Sequence, residues 1–369
     1  MAPTPEQSTG RVRAFLKRKD IVFSVQRYAY DAFSALALGL FASLLMGTIL
    51  NTLGTLLGWS FLVDVGKFAS AASGAAMAVA IGYALKAPPL VLFSLVAVGT
   101  AANQLGGAGA PLAVLFIAII AAEVGKLISK ETPVDLIVTP GVTVLVGVTA
   151  AWFLAPPIGT AASWLGNLVM WATELQPLFM GAFVALVIGV ALVMPTSSAA
   201  ICAALGLTGL AGGAALAGCC AQMVGFAVIS FRENRWGGLV SQGLGTAKIQ
   251  MANIFRNPRI WIPTLTASVI NGALAAAVFG FRQDGPAIAS GMGTCGLVGP
   301  IGVYSGWLGQ ITDGVRGAIG AYDWVSMAAI CLVIPAVVSL GVAWVLRRVR
   351  WIHDGDMALR VLDDITHAG

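Results

Sequence analysis

Apolar runs of about twenty residues recur from residue 32 to residue 346, separated by short polar breaks. A run of that length lets an α-helix cross the hydrocarbon core of a bilayer. Lipid leaves backbone groups no outside partner, so the helix is the form such a run takes. Of the 369 residues, 58% are hydrophobic and 10% are charged, against about a quarter charged in a soluble domain. The chain therefore reads as an all-α polytopic membrane protein. No polar stretch exceeds about 30 residues, which is too short to build a core of its own.

The pattern predicts about ten spans, at 32–58, 67–86, 88–106, 108–128, 134–155, 177–194, 198–210, 212–230, 261–280 and 324–346. Basic residues mark the cytoplasmic side of short loops. Arg11, Arg13, Lys17, Arg18 and Lys19 put the N-terminus there, and Val12 to Tyr28 reads as an interfacial helix on that leaflet. Lys86, Lys126, Lys130, Arg232, Arg235, Lys248, Arg256 and Arg259 follow the same alternation, and Arg347, Arg348 and Arg350 place the C-terminus inside too. Lys67 is the dissenter. The positive charge of +5 thus reports topology, not nucleic-acid binding.

The stretch GPAIASGMGTCGLVGPIGVYSGW (285–307) is long enough to span, yet it is broken by glycines and by Pro300. As a span it would also turn the C-terminal arginines outward. It reads as a re-entrant hairpin, a backbone tolerated at membrane depth only inside protein or facing water. MPTSSAAICAALGLTGLAGG (194–213) has the same character. A pair of interrupted segments points to a transporter binding site, and the two are expected to meet near mid-membrane. Trp152, Trp164 and Trp171 read as a belt at the far interface. In ETPVDLIVTP (131–140), Thr132, Pro133 and Asp135 read as a helix start.

No catalytic constellation is present: there is no Walker loop and no HExxH spacing. Cys202, Cys219, Cys220, Cys295 and Cys331 all lie in apolar segments and form no CxxC, and His353 and His367 stand in the tail. Neither a metal site nor a cofactor is expected, and the chain reads as a non-enzyme. The candidates for binding a small polar solute are Thr196, Ser197 and Ser198 at a short helix start, Thr294 and Cys295 in the hairpin, and the intramembrane amides Asn103, Gln104, Gln222 and Asn271. Glu123, three residues from Lys126, is either an interfacial ion pair or a buried carboxylate for substrate or a proton. Leucine in place of Ser198 or Thr294 is expected to abolish binding and spare the fold.

Several stretches together carry a resemblance: VDLIVTP, MPTSSAAICAALGLTGLAGGAALAGCCAQMVGFAVISFREN, GGLVSQGLGTAKIQMANIFRNPRIWIP and GMGTCGLVGP. They resemble the EIIC-like membrane family of the bacterial phosphotransferase system, in the branch that includes PfoR-like putative toxin regulators, over residues 30–346. The resemblance implies a permease subunit in the bacterial inner membrane, a homodimer with a scaffold half and a moving half. It also implies a separate or fused EIIB module that phosphorylates the solute. At GTAKIQ, Ala247 and Lys248 depart from the expected GTSMLQ form. Two further readings stay open: a non-transporting sensor or regulator, and a stand-alone carrier coupled to an ion through Glu123.

The resulting plan is a cytoplasmic segment 1–30, one membrane domain 31–346 and a tail 347–369. The domain divides into a scaffold half, about 31–175, and a transport half, 176–346, with a cytoplasmic linker at 231–260. In that linker Leu244, Ala247, Met251, Ile254 and Phe255 fall on one helical face, with Thr246, Gln250, Asn253 and Arg256 away from it. It reads as an amphipathic helix that is an inner-leaflet anchor, a joint between the halves or the dock for an EIIB-type phosphoryl donor.

Overall fold

A computed structural model describes residues 14–173 and 175–359. Arg11, Arg13, the first part of the expected interfacial helix, and the tail from 360 onward with His367 lie outside the described residues. Residues 14–18 of that helix are helical.

The first half is built from α1 (Ala32–Leu40), α2 (Met46–Leu57), α3 (Ser60–Ala71), α4 (Ser73–Ala84), α5 (Pro89–Leu105), α6 (Ala110–Ile128) and the 38-residue α7 (Asp135–Ala172). A π-helical turn, Phe41–Leu45, joins α1 to α2. Helices α1, α4, α5, α6 and α7 enclose a core of Leu36, Met77, Ile81, Leu95, Val98, Leu115 and Ile117, all buried. Proline opens α5 and α6, where its missing N–H costs nothing. Helix α7 opens at Asp135, whose carboxylate accepts from the Lys130 N–H at 2.7 Å. Thr132 and Pro133 therefore precede the helix instead of starting it. The same helix runs on through Trp152, Trp164 and Trp171, whose side chains are exposed.

The second half contains α8 (Pro177–Val193), α9 (Ser198–Ala204), α10 (Gly209–Ile229), α11 (Phe231–Val240), α12 (Met251–Arg256), α13 (Ile262–Ala277), α14 (Val298–Thr312), α15 (Ala321–Ala328) and α16 (Ile334–Arg348). Helices α8, α10, α13 and α16 pack together, with α10 at the centre. Small residues let these backbones touch, as membrane helices do when no hydrophobic gain separates lipid from protein. Gly181 and Gly272 face each other reciprocally: a Cβ on either would lie 2.3 or 2.2 Å from the other's carbonyl oxygen.

Among the described residues six helices are long and apolar enough to cross a membrane. A further pair, Ser60–Ala71 and Ser73–Ala84, is bent by 48°, and Pro89–Leu105 and Pro177–Val193 are shorter apolar helices. The expected span at 198–210 is a seven-residue helix, α9, which stops where Gly206 and Gly209 take positive φ. The 285–307 stretch, expected as a re-entrant hairpin, holds no single continuous helix. It comprises two 3₁₀ turns, Ala287–Gly291 and Cys295–Leu297, followed by α14. Gly302 and Gly306 let α14 lie directly on residues 285–289.

The 241–257 stretch also differs from its sequence expectation. It is a π turn, a 3₁₀ turn and the short α12, not one amphipathic helix on the membrane surface. Gln250 and Asn253 point inward because the tail gives them partners there. Gln250 Nε2 donates to Met357 O and Asn253 Nδ2 to Ala358 O. Asn234 adds a clasp on the same strand of tail, donating to Met357 O and accepting from the Leu359 N–H. Glu233, whose carboxyl burial pushes above its ordinary range, accepts from the Met357 N–H and pairs with Arg347. Residues 352–357 are thus built into the domain, with Ile352 and Met357 buried.

Candidate functional site

The two interrupted segments meet. Ser198 Oγ donates to Gly291 O at 2.7 Å, and Ser290 Oγ donates to Leu207 O at 2.7 Å. Gly209 and Gln283 exchange both backbone hydrogen bonds in an isolated antiparallel bridge. Each segment supplies the partners that lipid would deny the other. Gly291 is required at the crossing, since a Cβ there would lie 2.4 Å from Ser198 O.

Two adjoining cavities open beside this crossing. The smaller, about 70 Å³, is bordered by Leu40, Leu44 and Thr48 of the first half and by Thr196, Ser197, Lys248 and Cys295 of the second. The larger, about 500 Å³, lies between Thr48, Asn51, Thr52, Thr55 and Ser70 on one side and Ser197, Ala199, Ala200 and Met292 on the other. Leu44, Thr48, Ser197, Ala199 and Met292 border both. The larger volume falls in the range of small-molecule sites, about 300–1,000 Å³.

Ser197 caps α9, its Oγ accepting from the Ala200 N–H at 3.2 Å, while its own N–H donates to Ala108 O of the first half. On the other wall, Thr48, Asn51, Thr52 and Thr55 recur at helical spacing along α2. The hydroxyls of Thr48 and Thr55 bond back to carbonyls four residues earlier, a bond that uses the proton and leaves the oxygen free to accept. No Asp or Glu borders either space. The arrangement offers hydroxyl, amide and backbone groups to a polar molecule, with Lys248 as the charged residue on the border of the smaller cavity.

Thr196, Ser197, Ser198 and Cys295, expected from sequence, do border the smaller cavity. Thr294 does not. It is 1% exposed, and its hydroxyl donates to Gly243 O. Thr294→Leu therefore strikes packing before it strikes a cavity, and the cavity is better probed elsewhere. Gln222 is consumed by helix–helix bonds, and Asn271 spends its Nδ2 on them while its buried Oδ1 has no partner. Gln222 donates to Ser268 Oγ and accepts from Trp261 Nε1 and Thr264 Oγ1, each at 2.9 Å. Asn271 Nδ2 donates to Ala217 O and Ile330 O. Asn103 lies beside Gly74 in the first half, and Gln104 is exposed. Glu123 pairs with the buried Lys126, whose ammonium also reaches the carbonyls of Asp20 and Leu85.

Three partners converge on one buried carboxamide, so Gln222→Leu leaves the Trp261 N–H without its acceptor, while the Thr264 and Ser268 hydroxyls fall back on the carbonyls of Trp261, Thr264 and Gly218. The expected cost is about 1–3 kcal/mol. Thermal unfolding of the purified variant in detergent checks it: a midpoint equal to wild type contradicts the network's weight.

Residues 30–359 match the family described as Phosphotransferase system, EIIC. The chain belongs to the phosphotransferase-system EIIC family. EIIC proteins are the membrane components of sugar-transporting systems and work with an EIIB partner. Comparison with curated proteins and with solved structures gave no match. The EIIC match runs to 359 and so takes in the tail residues 357–359 that bond to Asn234, Gln250 and Asn253. The α2 stripe, Ser70, Thr246 and Lys248 are polar bordering residues that the sequence analysis did not place at the site. For α2 the signal was present as a run of hydroxyls and an amide at 48, 51, 52 and 55 in an otherwise apolar helix.

Proposed function

We propose that this EIIC chain translocates a small polar organic solute, a sugar or polyol, by alternating access, and that the solute sits in the paired cavities. The observation that carries this is the opposition of walls. Thr48, Asn51, Thr52 and Thr55 of the first half face Ser197 and Ala199 of the second across about 500 Å³. A site shared by two packed bodies closes on one side and opens on the other when one body moves. In this reading residues 31–175 are the scaffold half and 176–346 the transport half, assembled as a homodimer in a bacterial inner membrane with both termini cytoplasmic.

The EIIB-type phosphoryl donor docks on the face carrying α11, where Arg232, Arg235 and Trp236 are exposed. Ion coupling through Glu123 has less support, because that carboxylate is held by Lys126 and does not border the cavities. The test is uptake and counterflow of a labelled sugar and polyol panel in liposomes holding the purified protein. At least one neutral member is expected to exchange. Folded protein that moves none of them contradicts the reading and favours a sensor.

A further inference from the structure

Lys248 is 8% exposed, and no Asp or Glu borders the cavity it reaches. An ammonium taken out of water needs compensation. Here the compensation comes entirely from the broken end of α8. Lys248 Nζ donates to Thr196 O at 2.7 Å, to Met194 O, and to Ala191 O at 3.5 Å. The last carbonyls of a helix have no partner within it and carry the negative end of its dipole. Pro195 interrupts the chain between them and has no N–H to offer. Thr196 also donates twice here, its Oγ1 to Ala191 O at 2.8 Å and its N–H to Met194 O at 2.7 Å, and the ammonium shares these acceptors.

Backbone carbonyls converging at the end of a broken membrane helix are the means by which carriers bind small monovalent cations. The chain delivers its own cation to that place on a fixed tether. Thr246 caps the turn by accepting from the Lys248 N–H, and Gln250, two residues on, is anchored to Met357 O. We infer that Lys248 is a built-in occupant of a monovalent-cation site formed by the carbonyls of Ala191, Met194 and Thr196. Its ammonium holds the 191–196 break in shape without any free ion. A variant lacking the ammonium opens the same carbonyls to a small cation from solution.

The test needs no knowledge of the solute, so it stands or falls apart from the transport reading. Purified full-length wild type and Lys248→Ala are unfolded thermally in detergent in choline, sodium, potassium or ammonium chloride at equal ionic strength. Wild type is expected to unfold at the same temperature in all four. Lys248→Ala is expected to unfold earlier in choline and to gain more than about 2 °C, saturably, at about 150 mM sodium or ammonium. If Lys248→Ala cannot be purified folded in choline, the same variant is extracted in each salt beside Lys248→Met. Recovery of folded protein in sodium or ammonium alone supports the proposal. A variant with no cation-specific gain, one recovered in no salt, or a wild type that responds as the variant does, overturns it.

Discussion

Gly218→Val is expected to lower stability by about 3 kcal/mol or more. Gly218 lies in the middle of α10, where the backbone of α8 crosses it. A Cβ there would be 2.0 Å from Ala185 O and 2.6 Å from both Ala185 C and Cα. These are backbone atoms, so no rotamer change relieves the clash and the helices must separate. Separation strains every neighbour, because α10 is the helix against which α8, α13 and α16 all pack. Helix Gly209–Ile229 is 94% buried along its apolar window, so there is no lipid-facing side toward which it can shift. The control is Gly141→Ala on α7, where a Cβ meets nothing within 4 Å. There the gain in helix propensity is expected to leave stability unchanged or raise it by up to about 1 kcal/mol. Thermal unfolding of both variants in detergent decides the matter. A Gly218→Val protein as stable as wild type contradicts the close packing of α8 on α10.

The membrane class was legible because a helix of apolar residues is the only economical answer to a twenty-residue oily run. So was the meeting of 194–213 with 285–307, because glycine-rich backbone in lipid needs a partner and each segment is the other's nearest supply. The direction in which side chains turn was less legible. Gln222 and Asn271 were candidate solute ligands, and only the positions of Ser268, Trp261, Ala217 and Ile330 show them bonded between helices. The polar island at 243–263 suggested a surface helix by its periodicity. That reading failed because Gln250 and Asn253 bond to the tail at Met357 and Ala358, more than a hundred residues away. Lys248 was invisible as a site residue for the same reason: its three acceptors lie on a different helix end. The residues of α2 were missed because a threonine that bonds its own helix looks like filler until the opposite wall is known.

Ala199→Trp is expected to abolish solute binding and translocation while the protein stays folded. Ala199 is partly exposed on the first turn of α9 and borders both cavities. An indole placed there projects into the space between α2 and α9, where it fills volume that a solute would need. It removes no hydrogen bond, since Ser197 and Ser198 keep their partners at Ala200 and Gly291. Ala199→Ser adds only one atom and is the matched control. The most direct measurement is counterflow of the active sugar or polyol in liposomes holding wild type, Ala199→Trp or Ala199→Ser at equal amounts of folded protein. A solute site between the two halves predicts a loss of more than about 10-fold for Ala199→Trp, with Ala199→Ser within about 2-fold of wild type. Undiminished counterflow through a folded Ala199→Trp protein would contradict that site.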